Sequence, residues 1–194
     1  MRTRSVARHV GVLVLTLLAV ATRPSGVAAQ ARVFGFIAPM PTAQLKQLFP
    51  RAAYFTPRGT ADPPYFTAYA QNPATVPTAS PIGWAFWTID VVPEERGYHG
   101  HIHMLVGLDR TGHIPGVIMD QNTEPYGDVS INLPTFPAQF AGKSIRDHFV
   151  VGDDVDLTSR ATISVRAAAT EIRESARRVA RVVLSPRDVA PRTR

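Results

Sequence analysis

An α+β domain is the fold class that the sequence predicts. Three observations predict it. Ile82–Val92 (IGWAFWTIDVV) is a long apolar run rich in aromatic and β-branched residues, which reads as a strand. Two further apolar runs flank Asp109-Arg110-Thr111-Gly112, a hairpin turn with glycine where positive φ is needed. Downstream, Ala168, Ile172, Ala176, Val179 and Val183 recur at steps of three and four, which makes one apolar face of a C-terminal amphipathic helix.

The chain has 194 residues, a length that suits one domain behind a leader. Hydrophobic residues make up 45%, enough for a proper core. Prolines number 17 and lie mostly before residue 138, so the first half should be rich in loops. There is no cysteine, which excludes disulfides, thiolate metal sites and iron–sulfur clusters.

Residues 1–29 read as a secretory signal peptide. Arg2, Arg4 and Arg8 precede the apolar run Val10–Ala21, and small residues lead to Val27-Ala28-Ala29-Gln30. Cleavage after Ala29 is expected, giving a periplasmic or otherwise exported protein; an uncleaved N-terminal membrane anchor is the alternative. Four of the 21 basic residues fall in that leader and no acid does, leaving 17 against 15 acids, a net charge of +2. The basic pI of about 10.3 therefore does not indicate nucleic-acid binding.

The rest divides into 30–81, an N-terminal helix with Pro-rich loops, the core at 82–183, and a flexible basic tail at 184–194. Thr42–Phe49 is a short helix, with Leu45, Leu48 and Phe49 on one face and Pro50 ending it. Arg51–Pro81 reads as short strands and loops, because its aromatics are too frequent for disorder. Ile82–Val92 is apolar on both faces and is expected at the centre of the sheet. Ile102–Leu108 and His113–Asp120 are the two hairpin strands, and Gln121–Ser130 is a polar loop. Phe136–Phe140 is a helical or turn segment, and Ser144–Val151 a short strand or helix. The final helix is expected from about Ser164, its N-cap, to Val183, with arginines late, where they complement the dipole.

The stretch before that helix carries the chemistry. Asp156-Leu157-Thr158-Ser159-Arg160-Ala161-Thr162-Ile163-Ser164 is a loop of small and polar residues ending at a helix start. Unpaired backbone N–H groups and the positive end of the helix dipole favour a phosphate there. A plain Ser/Thr-capped helix start is the other reading of the same residues.

The stretch resembles the Asp-x-x-Ser/Thr-Gly-Ala-Thr signature of FMN-binding domains, with Asp156, Ser159, Ala161 and Thr162 in register and Arg160 in place of glycine. The family includes the periplasmic domain of NosR-type proteins and subunits of the Nqr and Rnf electron-transfer complexes. Gly97-Tyr98-His99-Gly100, Leu105–Asp109, Ile114–Met119, Glu124-Pro125 and Glu171–Ala180 are similar to family segments in the same order, so the resemblance spans roughly 45–183. It implies a curved antiparallel sheet with helices packed against it. It implies FMN, attached by a flavin transferase through its phosphate to Thr162, with Glu124 in a loop near the flavin. Asp156, Ser159, Arg160, Ala161 and Ser164 are the accompanying cofactor-binding candidates. Electron transfer with a membrane-bound or periplasmic redox protein is the implied function. A non-redox binding or regulatory module of the same fold, without covalent flavin, is the alternative that Arg160 favours. Glycine tolerates positive φ, whereas arginine implies ordinary backbone or a strained one. Its guanidinium could instead pair with the FMN phosphate.

Other candidates weigh less. His99, His101 and His103 alternate and would share a strand face, where a metal could bind, but no further ligand is placed beside them. Trp84 and Trp87 point to opposite faces and fit a core better than a flavin stack. Lys143 is a weak phosphate candidate. No Ser-His-Asp order, paired-acid motif or Gly-rich nucleotide loop points to a hydrolase.

Overall fold

The computed structural model describes residues 38–189, 191 and 192. The expected signal peptide and its cleavage site lie outside the described residues. Five strands form one sheet in the order β1-β2-β3-β4-β5, each antiparallel to the next, curled into a half-barrel. They are β1 (Tyr54–Phe55), β2 (Phe66–Tyr69), β3 (Pro81–Trp87), β4 (His103–Asp109) and β5 (Val117–Gln121). The helices are α1 (Thr42–Leu48), α2 (Thr88–Val91), α3 (Thr135–Ala138) and α4 (Thr162–Val183). The α+β class, the antiparallel sheet and the C-terminal helix are as expected.

β3 is the middle strand, as its two apolar faces predict. Its pleat sends Phe86 to one face and Ala85 and Trp87 to the other. Phe86 joins Met104, Val106 and Leu108 of β4, and α4 closes that face with Val165, Ala168, Ile172, Ala176 and Val179. Trp87, Ala85, Phe66 and Leu105 form the opposite cluster, covered by Leu45 and Leu48 of α1. Each such buried Leu, Ile or Phe contributes about 1.5–3 kcal/mol. Both tryptophans are buried, so the core reading holds for them.

Several boundaries differ from expectation. The strand predicted to run to Val92 ends at Trp87, and Thr88–Val91 turns into α2. Thr88 causes the turn: its buried hydroxyl donates to the carbonyl of Ile102 at 3.0 Å and accepts the N–H of Met104 at 3.3 Å. The return strand begins at Val117 rather than His113, because Pro115 and Gly116 interrupt the ladder. The turn between β4 and β5 is as predicted, with Gly112 at φ 78° and Asp109 Oδ1 accepting the N–H of Thr111 at 2.8 Å and of His113 at 2.9 Å. Ser144–Val151 forms neither a regular strand nor a helix, only isolated bridges. In the tail, Arg192 Nε donates to the carbonyl of Arg146 at 2.9 Å. Among the described residues no helix is long and apolar enough to cross a membrane.

Candidate functional site

α4 starts two residues earlier than its sequence suggests, at Thr162. A turn closes just before it, with the N–H of Ala161 on the carbonyl of Thr158 at 3.2 Å. Arg160 sits in that turn at φ 69°, the left-handed region. The arginine therefore holds the backbone that glycine would adopt freely, at a cost of about 1–2 kcal/mol. Of the two readings open for Arg160, the strained one is observed. Ala161 stands at the N-cap and is buried; it offers no side-chain cap. The first backbone bond across the boundary runs from Val165 N–H to Ala161 C=O at 2.9 Å. The preceding N–H groups have no intrahelical acceptor, and the dipole's positive end lies with them. Thr162 is half-buried at that end, with Ser159 and Arg160 exposed beside it.

Ser164 is not the N-cap. It lies inside the first turn, 4% exposed, and its hydroxyl donates to Glu124 Oε2 instead of accepting a backbone N–H. Glu124 is 7% exposed, so it is not a solvated loop acid. Its Oε2 also accepts the N–H of Tyr98 at 3.0 Å, and Oε1 accepts that of His99 at 2.8 Å. One carboxylate thus ties three segments together: the loop before β4, the loop after β5 and the start of α4. Gly97 makes room for it, since a Cβ there would come within 2.5 Å of Glu124 Oε1. Asn122 Oδ1 accepts the N–H of Glu124 at 3.1 Å and so fixes the second loop.

The segment leading into the site is braced from behind. Asp154 accepts the N–H of Phe149 at 3.0 Å and of Val150 at 2.6 Å, and Lys143 Nζ lies 3.2 Å away. Burial pushes the Asp154 carboxyl up, but these backbone donors and the Lys143 ammonium outweigh it and hold it below the usual range. Lys143 is committed to this ion pair, which takes away its case as a phosphate ligand. Asp156 is exposed; its N–H donates to Gln139 Oε1 at 2.7 Å.

The histidines do not share a strand face. Only His103 belongs to β4; His99 and His101 lie in the loop before it. Among the described residues no three His, Asp or Glu side chains are arranged to hold a metal ion. Burial holds His103 below the usual histidine range, and His101 adds to this, while Asp120 and Asp90 oppose it.

The model of the FMN-binding domain family matches residues 97–176. The chain carries an FMN-binding domain. The matched span opens at Gly97, whose missing Cβ admits Glu124, and closes at Ala176 within α4. It contains the whole 156–164 stretch. No curated protein matches the chain. The domain supports a flavin-binding protein with FMN as cofactor. The donor set fits that group: a helix start with no side-chain cap, a half-buried hydroxyl at its first residue and an exposed guanidinium two residues before it suit a phosphate.

One buried acid of the FMN-binding domain was not singled out from the sequence. Glu171 is 2% exposed on α4, and its Oε1 has no hydrogen-bond partner among the described residues. Burial pushes its carboxyl up to about 8; the Thr88 hydroxyl opposes this, and the charges of Glu95 and Glu124 add to it. A signal for it existed. Ser164, Ala168, Glu171 and Ser175 follow one another at helical steps, and all four are buried.

Proposed function

We propose that FMN is carried covalently on Thr162, and that the exported protein uses it for electron transfer with a membrane-bound or periplasmic redox protein. The observation that carries the reading is the position of Thr162, first in α4, at an uncapped helix start inside the FMN-binding domain. In the attachment, the Thr162 Oγ1 bonds to the FMN phosphorus of an activated donor, a flavin–nucleotide pyrophosphate. The pyrophosphate P–O bond breaks, the nucleoside monophosphate leaves, and the hydroxyl proton passes to solvent. A flavin transferase carries this out. Bound FMN supplies the redox chemistry. The chain supplies position and charge: backbone N–H groups of the first turn and Arg160 favour the anionic phosphodiester, while Glu124 keeps the Tyr98–His99 loop against the helix start.

The left-handed backbone at Arg160 bears on the alternative, a flavin-free binding module. Arginine was the feature that favoured it, and here it adopts the conformation that glycine would. Asp156 and Ser159 belong to the same proposed site as parts of the loop that the transferase must recognise.

The test is the intact mass and in-gel flavin fluorescence of protein from its native host. A gain of one FMN less one water, mapped to the Thr162 peptide and lost in Thr162→Val, is expected. Covalent flavin retained in Thr162→Val would sink the assignment, and native protein with no flavin would support the binding module. A mature N-terminus at Gln30 is the expected mark of export.

A further inference from the structure

At the far end of α4 lies a cleft of about 280 Å³. Ile145, Leu184 and Val189 give it an apolar floor, and Arg146, Arg177 and Arg181 line it. No lining residue among those described is acidic. The helix rises about 1.5 Å per residue, which puts Arg181 roughly 28 Å along the axis from Thr162. The cleft is therefore separate from the proposed FMN site.

The arginines are more numerous than their fold roles require. Arg177 donates from Nε to the carbonyl of Ile145 and from Nη2 to that of Asp147, both at 2.9 Å, which pins the 145–147 loop. Arg146 Nη2 reaches the carbonyl of Pro186 at 3.3 Å. Arg192 joins them through the carbonyl of Arg146 at 2.9 Å. Carbonyls satisfy N–H groups but do not neutralise charge. Arg181 makes no hydrogen bond or ion pair among the described residues. Among the described residues the carboxylate that forms ion pairs with this group is Glu174, 2.8 Å from Arg173 and 3.8 Å from Arg177. The helix C-terminus offers about half a negative charge, enough to offset part of one arginine. Burial holds the Arg177 guanidinium below its usual range; Glu174 opposes this, and Arg173, Arg181 and Arg192 add to it.

We infer that this cleft binds a small amphiphilic anion, its phosphate or carboxylate head between Arg146 and Arg181 and its alkyl tail on Ile145, Leu184 and Val189. Guanidinium forks match such heads geometrically, and an apolar floor beside them selects a short tail. The same head chemistry exists on free amphiphiles and on anionic lipids, and the test separates these sources.

The test uses octyl phosphate titrated calorimetrically into the full chain, with octyl glucoside as the neutral control. Saturable binding at one per chain is expected, weakened roughly tenfold in Arg181→Gln and in Arg146→Gln, the loss of one charge-assisted contact. Arg166→Gln, which removes the same charge from an exposed site near the other end of α4, should leave affinity unchanged. Arg177 is left intact because it holds the loop. Co-sedimentation with phosphatidylglycerol vesicles distinguishes the sources. Vesicle binding lost in the same two variants assigns a lipid head group; octyl phosphate binding without vesicle binding assigns a free amphiphile. The inference is overturned by no saturable octyl phosphate binding, by equal binding of octyl glucoside, or by an Arg166→Gln loss as large as the other two.

Discussion

The Ser164 hydroxyl donates to the Glu124 carboxylate across a separation of 40 residues in sequence, inside a buried contact. With two backbone N–H donors on the same carboxylate, it makes Glu124 the joint between two loops and the start of α4. Glu124→Gln puts an amide donor among groups that are themselves donors. A loss of about 2–3 kcal/mol is expected in urea unfolding. Ser164→Ala leaves both backbone donors in place and should cost about 1 kcal/mol. If the two variants lost the same stability, the carboxylate would not be the joint.

Gly97 is tied to the same contact by space rather than by a bond. A Cβ would lie 2.5 Å from Glu124 Oε1 and 3.0 Å from Ile102 Cδ1. Neither neighbour is free to move, since one is held by three donors and the other is fully buried. Gly97→Ala should therefore destabilise by about 1–3 kcal/mol. In the Glu124→Ala background, where the clash is gone, the same substitution should cost markedly less. A double-mutant cycle measures this, and additive losses would contradict the geometry.

Arg160 is strained at φ 69° and exposed. Arg160→Gly relieves the left-handed cost and adds chain entropy to the unfolded state, so the net change should be a small gain, within about 1 kcal/mol. Arg160→Val should lose more than 1 kcal/mol, roughly, because a β-branched residue fits that conformation worst. Thermal unfolding ranks the three. A more stable valine variant would refute a left-handed turn at this point.

The apolar framework was legible because it is local. The step of three and four in Ala168, Ile172, Ala176 and Val179 is also the buried face of α4. The central place of β3 followed from two apolar faces, and the Asp109–Gly112 turn from glycine chemistry. What escaped was set by distant partners. Thr88-Ile89-Asp90-Val91 has strand propensity, yet the Thr88 hydroxyl bonds groups 14 and 16 residues away and bends the chain. Glu124 reads as a loop acid until Tyr98, His99 and Ser164 are brought to it. Ser164 looked like a cap because a cap is the commonest local use of serine, and a tertiary partner took its hydroxyl. The alternation of His99, His101 and His103 misled because a period of two means a shared face only within a strand, and β4 starts at His103.

Glu171 yields a pH dependence whose sign is opposite to that of a salt-bridged acid. Its folded pKa is about 8, against 4.5 for a glutamate carboxyl in the unfolded chain. Between those values the folded chain keeps a proton that the unfolded chain releases, so stability falls as pH rises through that window and levels off above it. The slope is at most about 1.4 kcal/mol per pH unit. Glu171→Gln mimics the protonated acid and cannot ionise. It should match the parent near pH 4 and exceed it increasingly towards pH 8. The charges of Glu95 and Glu124 contribute to the shift, so Glu95→Gln should flatten the parent's decline slightly without removing it. Urea unfolding from pH 4 to 9 reads all three. A Glu171→Gln difference that stays constant across that range would show that folding leaves the pKa of this carboxyl unshifted, and would overturn the assignment of a proton held by burial.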